Sequence, residues 1–324
     1  MSRLRLVALR LAQAVPILLG IVVLNFLLLH LAPGDAVDVL AGEAGGAPAE
    51  YLALLRERFG LDQPLFLQLF YYIKSVAFLD FGYSFRQGAP VLQLILDRLG
   101  PTLLLMTTAL FLSAGGGVLL GVVAAMRARR WADSVISVLA VISYATPLFW
   151  IGLMLILVFS IKLDWLPTTG MEDVTAFYEG WDRVLDIARH LVLPARTLSL
   201  FYLATYTRLM RAAMLDQAGM DYVTTARAKG LTERRVTLRH ILPNAFLPVL
   251  TIIGVQIGSL LGGSVVVESV FAWPGLGLLA YQSLFARDLN LLLGIFFFCA
   301  CLVVLVNLAI DIAYGLLDPR TQRS

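Results

Sequence analysis

Apolar runs of about 20 residues constrain the fold of this chain more than any other feature of its sequence. Six runs are free or nearly free of charge, at residues 11–31, 101–126, 134–161, 190–210, 246–267 and 289–310. Each is long enough for a helix to cross a hydrocarbon layer about 30 Å thick. We therefore expect an all-α polytopic membrane protein with six transmembrane helices.

The composition supports this interpretation. Of the 324 residues, 59% are hydrophobic and only 15% are charged. In a soluble domain, roughly a quarter of all residues are charged. The fourth run is the weakest because it contains Arg196 and several hydroxyl side chains. The first run exceeds a signal-peptide core in length, so we expect it to remain as an uncleaved span. A net charge of +3 is too mild to indicate a nucleic-acid partner.

The distribution of basic residues predicts the orientation. With both termini in the cytoplasm, the density of Lys and Arg is about threefold higher in the inner segments than in the outer ones. The predicted organisation is a tail and first helix (1–31), an extracytoplasmic segment with amphipathic helices (32–100), a five-helix core with a cytoplasmic loop at 211–245 (101–316), and a cytoplasmic tail (317–324). The aromatic stretch 65–78 is expected to lie on the membrane or on other helices.

Signatures of an enzyme are missing from the sequence. None of the three lysines follows a glycine, which excludes a Walker A nucleotide loop. The three histidines are far apart, and Cys299 and Cys301 lie within an apolar run, so we expect no metal ligands and no catalytic residues. The glycines at 115–117 lie inside a predicted span, where small residues favour close helix packing.

Charged side chains within the predicted spans are few. Arg196, Glu268 and Asp311 each lie near a span end, where they can anchor the helix at the interface, pack between helices or line a translocation path. An ion relay within this chain is therefore not indicated.

The most informative stretch lies in the predicted inner loop. Asp221 can cap a short helix, and Gly230 suits its C-terminal stop, where a positive φ is required. A second short helix can start at Thr232 and is expected to end before Pro243. The small residues Ala226, Ala228 and Gly230, flanked by basic side chains, would suit a partner's cleft; a plain basic loop that obeys the orientation rule is the alternative.

This stretch resembles the signature loop of permease subunits from binding-protein-dependent ABC importers. In the general pattern, Glu-Ala-Ala is followed after three residues by Gly and after nine more by Ile-x-Leu-Pro. Ala226, Gly230, Leu242 and Pro243 match, whereas Thr224, Thr225 and His240 depart from it. The run Thr-Ala-Arg-Ala-Lys-Gly at 225–230 is similar to the variant found in the dipeptide, oligopeptide and nickel branch.

Further segments resemble that branch in the same order along the chain. They are Ala-Pro-Gly-Asp at 32–35, Gly-Leu-Asp-Gln-Pro at 60–64, Asp-Phe-Gly-Tyr-Ser-Phe at 80–85, Val-Val-Glu-Ser-Val-Phe at 266–271, Trp-Pro-Gly-Leu-Gly at 273–277 and Leu-Asp-Pro-Arg at 317–320. The long outer segment after the first span is similar to the DppB-like member of the two permeases in this branch.

The resemblance implies a transport subunit of a bacterial inner membrane. Its partners would be a DppC-like sister permease, two ABC ATPase subunits that carry ATP and Mg²⁺, and an extracytoplasmic binding protein that delivers short peptides. The residues implied in coupling to the ATPases are Asp221, Thr224, Thr225, Ala226, Arg227, Ala228, Lys229, Gly230, Leu242 and Pro243.

Other solutes remain open, because the same branch includes importers of nickel and glutathione. Gln256, Ser259 and Ser264 on the fifth predicted span are candidates for lining the substrate pathway. A different class of protein, an ion-coupled secondary carrier, would transport without ATP when reconstituted alone.

Overall fold

The computed structural model describes residues 3–31, 48, 50, 57 and 62–317. The predicted motif at 32–35, most of the amphipathic stretch at 49–59 and the tail from residue 318 lie outside the described residues. In chain order the elements are α1 (Arg3–Leu31), α2 (Leu65–Ala77), β1 (Tyr83–Ser84), β2 (Ala89–Pro90), α3 (Val91–Met126), α4 (Trp131–Ala145), α5 (Leu148–Leu155), α6 (Gly180–Ala218), α7 (Asp221–Ala228), α8 (Glu233–Val236), α9 (Leu242–Val270), α10 (Leu276–Phe285) and α11 (Leu289–Leu317). A π-helical segment extends α5 (Ile156–Lys162), and another joins α8 to α9 (Thr237–Ile241).

Several of the described helices are long and apolar enough to cross a membrane. Four such stretches are Ala12–Leu31, Val91–Met126, Glu233–Gly254 and Leu289–Leu308, and the bent pair formed by α4 and the extended α5 is a fifth if it counts as one span. Helix α6, which contains the fourth predicted span, is more polar and is not among these candidates. The described residues therefore provide four to five candidate spans, and the sixth remains a prediction.

The third predicted span is not one straight helix. Helices α4 and α5 meet at an angle of 105°. Thr146 is extended (φ −82°, ψ 131°) because a proline, here Pro147, disfavours helical geometry in the residue before it. The Thr146 hydroxyl donates to the Ile142 carbonyl at 2.7 Å, which satisfies the end of α4. The prediction of a single helix over 134–161 is wrong because it overlooked this proline.

The chain divides into two compact units, and the first comprises residues 1–97 and 280–324. In this unit α1 packs along α11, and the Asn25 side-chain amide donates to the Leu293 carbonyl at 3.1 Å. The strands β1 and β2 form a short antiparallel pair. The Ser84 hydroxyl on β1 donates to the carboxylate of Asp288, which directly precedes α11, and so attaches the pair to the start of that helix. Helix α2 contacts α1, and the exposed side chains Phe66 and Phe70 give it an apolar outer face.

The second unit, residues 98–279, is built around α6. Helices α4, α5 and α9 all contact α6, and its buried side chains include Leu198, Tyr206 and Met210. Helix α3 approaches α6 through two glycines one turn apart. A Cβ on Gly117 would lie 2.5 Å from the Tyr206 Cβ, and one on Gly121 would lie 2.7 Å from the Thr207 carbonyl oxygen. The predicted packing role of the glycine patch is confirmed at Gly117, and Gly121 extends it.

Replacing Gly121 with leucine is expected to destabilise the chain, because backbone and Cβ atoms of α6 occupy the space that the new side chain needs. Overpacking of this kind costs about 1–3 kcal/mol. The measurement is the thermal unfolding midpoint of the purified chain in detergent. Gly115→Leu is the matched control, since no atom lies within 4 Å of a Cβ at that position. Equal midpoints for the two variants would contradict the assigned helix contact.

Candidate coupling site

The elbow, which we define as residues 221–241, begins with α7. Its N-cap is Met220, and Asp221 is already the first helical residue, with no side-chain cap hydrogen bond. The Met220 carbonyl instead accepts from the amides of Val223 and Thr224. The prediction that Asp221 caps this helix through its side chain is therefore wrong. An acidic residue in the first turn still interacts favourably with the helix dipole.

The end of α7 is a Schellman turn around Gly230. Gly230 has a φ of +79°, as the sequence predicts. Its amide donates to the Arg227 carbonyl at 2.9 Å, and the Leu231 amide donates to the Ala226 carbonyl at 3.4 Å. This pair of bonds satisfies the last carbonyls of the helix. The direction in which the chain leaves α7 thus depends on a left-handed residue, a conformation that glycine adopts at little steric cost.

Two faces of α7 have different environments. Val223 and Ala226, three residues apart, are buried in the core of the second unit. Of the three small residues proposed as contact points for a partner, only Ala228 and Gly230 are exposed. The remaining coupling candidates on α7 and its end that are exposed are Asp221, Thr224, Thr225, Arg227 and Lys229.

The second helix of the elbow does not end before Pro243. Thr232 is its N-cap, within one residue of the predicted start, and the helical path continues from α8 through the π-helical segment into α9. Proline lacks an amide hydrogen, and the wider π turn accommodates it. The Asn244 side chain compensates for the altered pattern by donating to the His240 carbonyl at 2.8 Å. The predicted stop is therefore wrong, and the elbow is continuous with α9.

An ion pair connects the two helices of the elbow. The Arg227 Nε lies 2.8 Å from Glu233 Oε1, and its terminal nitrogen lies 3.3 Å from Oε2. Both side chains are exposed, so water weakens this attraction, and the pair orients the two helices rather than stabilising the fold.

A second ion pair connects α6 to α4. Arg211 on α6 makes a bidentate contact with Asp133 on α4, at 2.6 Å and 2.8 Å. Asp133 is buried and also accepts from the Arg129 amide at 3.0 Å. Two parallel hydrogen bonds between a guanidinium and a carboxylate make a stronger ion pair than a single contact does. Sequence reasoning missed it, although an acidic residue beside the basic loop 127–130 was a signal.

The candidate pathway residues lie in three different situations. Ser264 is buried and hydrogen-bonded to Glu268 within the chain, so it belongs to the packing of this unit. Gln256 is half-buried, and the side chain of Ser259 lies outside the described residues. The proposed role of these residues in lining the pathway therefore stays a prediction.

Glu268 is the centre of a buried clasp that sequence reasoning did not find. Its carboxyl group is fully buried, accepts from the Thr102 hydroxyl at 2.9 Å and accepts from the Leu278 amide at 2.9 Å. The Thr102 oxygen in turn accepts from the Leu276 amide at 2.7 Å. A Cβ on Gly275 would collide with the same carboxyl group. The clasp thus holds the turn between α9 and α10 against α3, which excludes interfacial anchoring as the role of Glu268.

The chain matches two family models and is similar in sequence to known transport proteins along almost its whole length. Residues 117–323 match the family described as binding-protein-dependent transport system inner membrane component, and residues 3–107 match the N-terminal family of the same transport-system membrane components. The chain is 41% identical over 315 residues to the oligopeptide transport system permease protein AppB of Bacillus subtilis, covering 97% of this chain and 98% of that protein.

A second relative is similar in sequence to this chain, and a solved structure is similar to it in fold. The dipeptide transport system permease protein DppB of Escherichia coli K12 is 37% identical over 328 residues, with 96% of each chain covered. The fold is similar to that of a chain in an inward-facing structure of the MetNI methionine ABC transporter, with a TM-score of 0.57 at 17% identity, covering 70% of this chain and 97% of that one.

Proposed function

Because this chain belongs to the family of binding-protein-dependent transport system inner membrane components, we propose that it is the permease subunit of an ATP-driven ABC importer of short peptides. The observation that carries the peptide assignment is the similarity to oligopeptide and dipeptide permeases along almost the whole chain. The chain is a multi-pass membrane protein, and in this proposal it forms the pathway with a DppC-like sister permease.

The proposed arrangement has six spans, with both termini and the elbow on the cytoplasmic side. The excess of basic residues in the corresponding loops supports this orientation. The location is the inner membrane of a bacterial cell. An extracytoplasmic binding protein delivers the peptide. Two ATPase subunits, which bind ATP and Mg²⁺, dock on the cytoplasmic side.

The elbow is the proposed contact with an ATPase subunit. Its exposed side presents Ala228 and Gly230 beside the basic residues Arg227 and Lys229, which suits insertion into a cleft. Leu242 and Pro243 follow at the continuous junction with α9. Movement of the ATPases would then be transmitted along α9 and, through the Arg211–Asp133 pair, along α6 and α4. Nucleotide binding would bias the pathway between two conformations.

The test is reconstitution in proteoliposomes. The complete complex, with its sister permease, ATPases and binding protein, is expected to accumulate Ala-Ala only when ATP is present. The purified chain alone is expected to move no peptide. Ion-driven uptake by the chain alone would replace this proposal with a secondary carrier, and uptake of nickel or glutathione but not Ala-Ala would change the solute.

A further inference from the structure

Two arginines of α6, Arg208 and Arg211, have different contacts. Arg211 forms the bidentate pair with Asp133, whereas Arg208, one turn earlier, forms no ion pair or hydrogen bond through its side chain within the described part of the chain. Arg208 is exposed, and its guanidinium carbon lies 5.0 Å from the centre of the Tyr144 ring. A cation–π contact of this kind leaves the guanidinium N–H donors available to a further ligand.

The direction of the Arg208 side chain follows from how α4 and α6 pack. Helices α4 and α6 run antiparallel, since Asp133 meets Arg211 at one end and Tyr144 meets Phe201 further along. At 1.5 Å per residue, Tyr144 lies about 16 Å along α4 from Asp133. Arg208 therefore extends away from the Arg211 ion pair and along the helix pair towards the stacked rings of Tyr144 and Phe201.

The surroundings of this guanidinium are aromatic. The Tyr144 ring stacks on Phe201 with centroids 5.3 Å apart and planes 20° apart, and Tyr144 is 49% exposed. Arg208 lies in the predicted span 190–210, where a cation without an acidic partner is costly, and such groups are retained along substrate pathways. The planar guanidinium matches a carboxylate in a bidentate fork, whereas it repels a metal cation.

We propose that Arg208, with the stacked rings of Tyr144 and Phe201, forms a subsite of the transport pathway that binds the terminal carboxylate of a peptide during its passage. The inference rests on the proposed function and goes further, because it assigns the recognised chemical group and the residue that recognises it. The rings provide an apolar surface for the rest of a short peptide, and the guanidinium provides the counter-charge.

The experiment compares Ala-Ala with its C-terminal amide in ATP-driven uptake by the complete complex in proteoliposomes. The measured quantity is the ratio of kcat/KM for the acid to that for the amide. The preference of the binding protein is common to every complex and cancels when variants are compared. Arg208→Gln is expected to lower this ratio by about tenfold, because a charge-assisted hydrogen bond to the carboxylate is lost. Arg208→Lys is expected to retain part of the ratio.

Two further sets of variants test which side chains form the subsite. Arg189→Gln removes another exposed arginine of α6 and is expected to leave the ratio unchanged. Tyr144→Leu removes the ring and is expected to lower the ratio, and Tyr144→Phe, which retains a ring, is expected to lower it less.

Several results would overturn the inference. An unchanged ratio in Arg208→Gln, with normal uptake of Ala-Ala, would remove this subsite and leave the proposed function intact. Loss of the sister permease on purification of Arg208→Gln would assign Arg208 to subunit assembly. A dependence on anionic lipid that disappears in Arg208→Gln, with the ratio constant, would assign it to a lipid headgroup. Failure of the wild-type complex to take up Ala-Ala would refute the proposed function itself, and the subsite with it.

Discussion

Replacing Glu268 with leucine is expected to destabilise the folded chain by about 3–5 kcal/mol, because several buried donors lose their acceptor at once. The Thr102 hydroxyl and the Leu278 amide both donate to this carboxyl group at 2.9 Å. The Thr102 hydroxyl cannot turn to water instead, since Thr102 is 1% exposed. The measurement is the thermal unfolding midpoint and the monodisperse yield of the purified chain in detergent.

Glu268→Gln is the matched variant for this prediction. It keeps the shape and one carbonyl oxygen but places an amide donor opposite other donors, so we expect an intermediate loss of stability. Thr102→Val removes the other partner, and the combination of Thr102→Val with Glu268→Leu is expected to cost less than the sum of the two single changes. Full additivity would show that Thr102 and Glu268 do not interact, and an unaltered midpoint in Glu268→Leu would show that its carboxyl group contributes nothing to the fold.

Replacing Gly230 with valine is expected to uncouple ATP hydrolysis from transport while the chain still inserts into the membrane. No atom lies within 4 Å of a Cβ at this position, so space is not the obstacle. The obstacle is the φ of +79°, which costs an L-residue about 1–2 kcal/mol and a β-branched one more. To relieve this strain the chain must leave α7 in another direction, which moves α8 relative to the exposed residues Arg227 and Lys229.

The expected result for Gly230→Val is a fall of about tenfold or more in ATP-driven Ala-Ala uptake and in peptide-stimulated ATPase activity, the factor that corresponds to about 1.4 kcal/mol. Gly230→Asn is expected to retain much of both activities, because asparagine tolerates the left-handed region. Gly219→Val is the positional control, since its φ is −86°. Unchanged coupling in Gly230→Val would place the ATPase contact elsewhere in the chain.

The candidate site was predictable where local backbone chemistry decides the structure. Gly230 follows a short polar helix and is the residue that a left-handed helix end requires, and the structure has that turn. The side-chain cap at Asp221 and the helix stop at Pro243 were wrong, because neighbouring groups supplied alternatives. The Met220 carbonyl accepts the first amides of α7, and a π turn accommodates the proline.

The sequence by itself determined that this chain is a helical membrane protein and which family it resembles, because long apolar runs, the asymmetry of basic residues and contiguous motifs are all local properties. Only the tertiary structure decided which residues separated in the chain share a contact. Thr102 and Glu268 are 166 residues apart, and Asp133 and Arg211 are 78 residues apart. Such pairs depend on how helices pack against each other, and the energy of that packing is distributed over surfaces that a one-dimensional pattern does not contain.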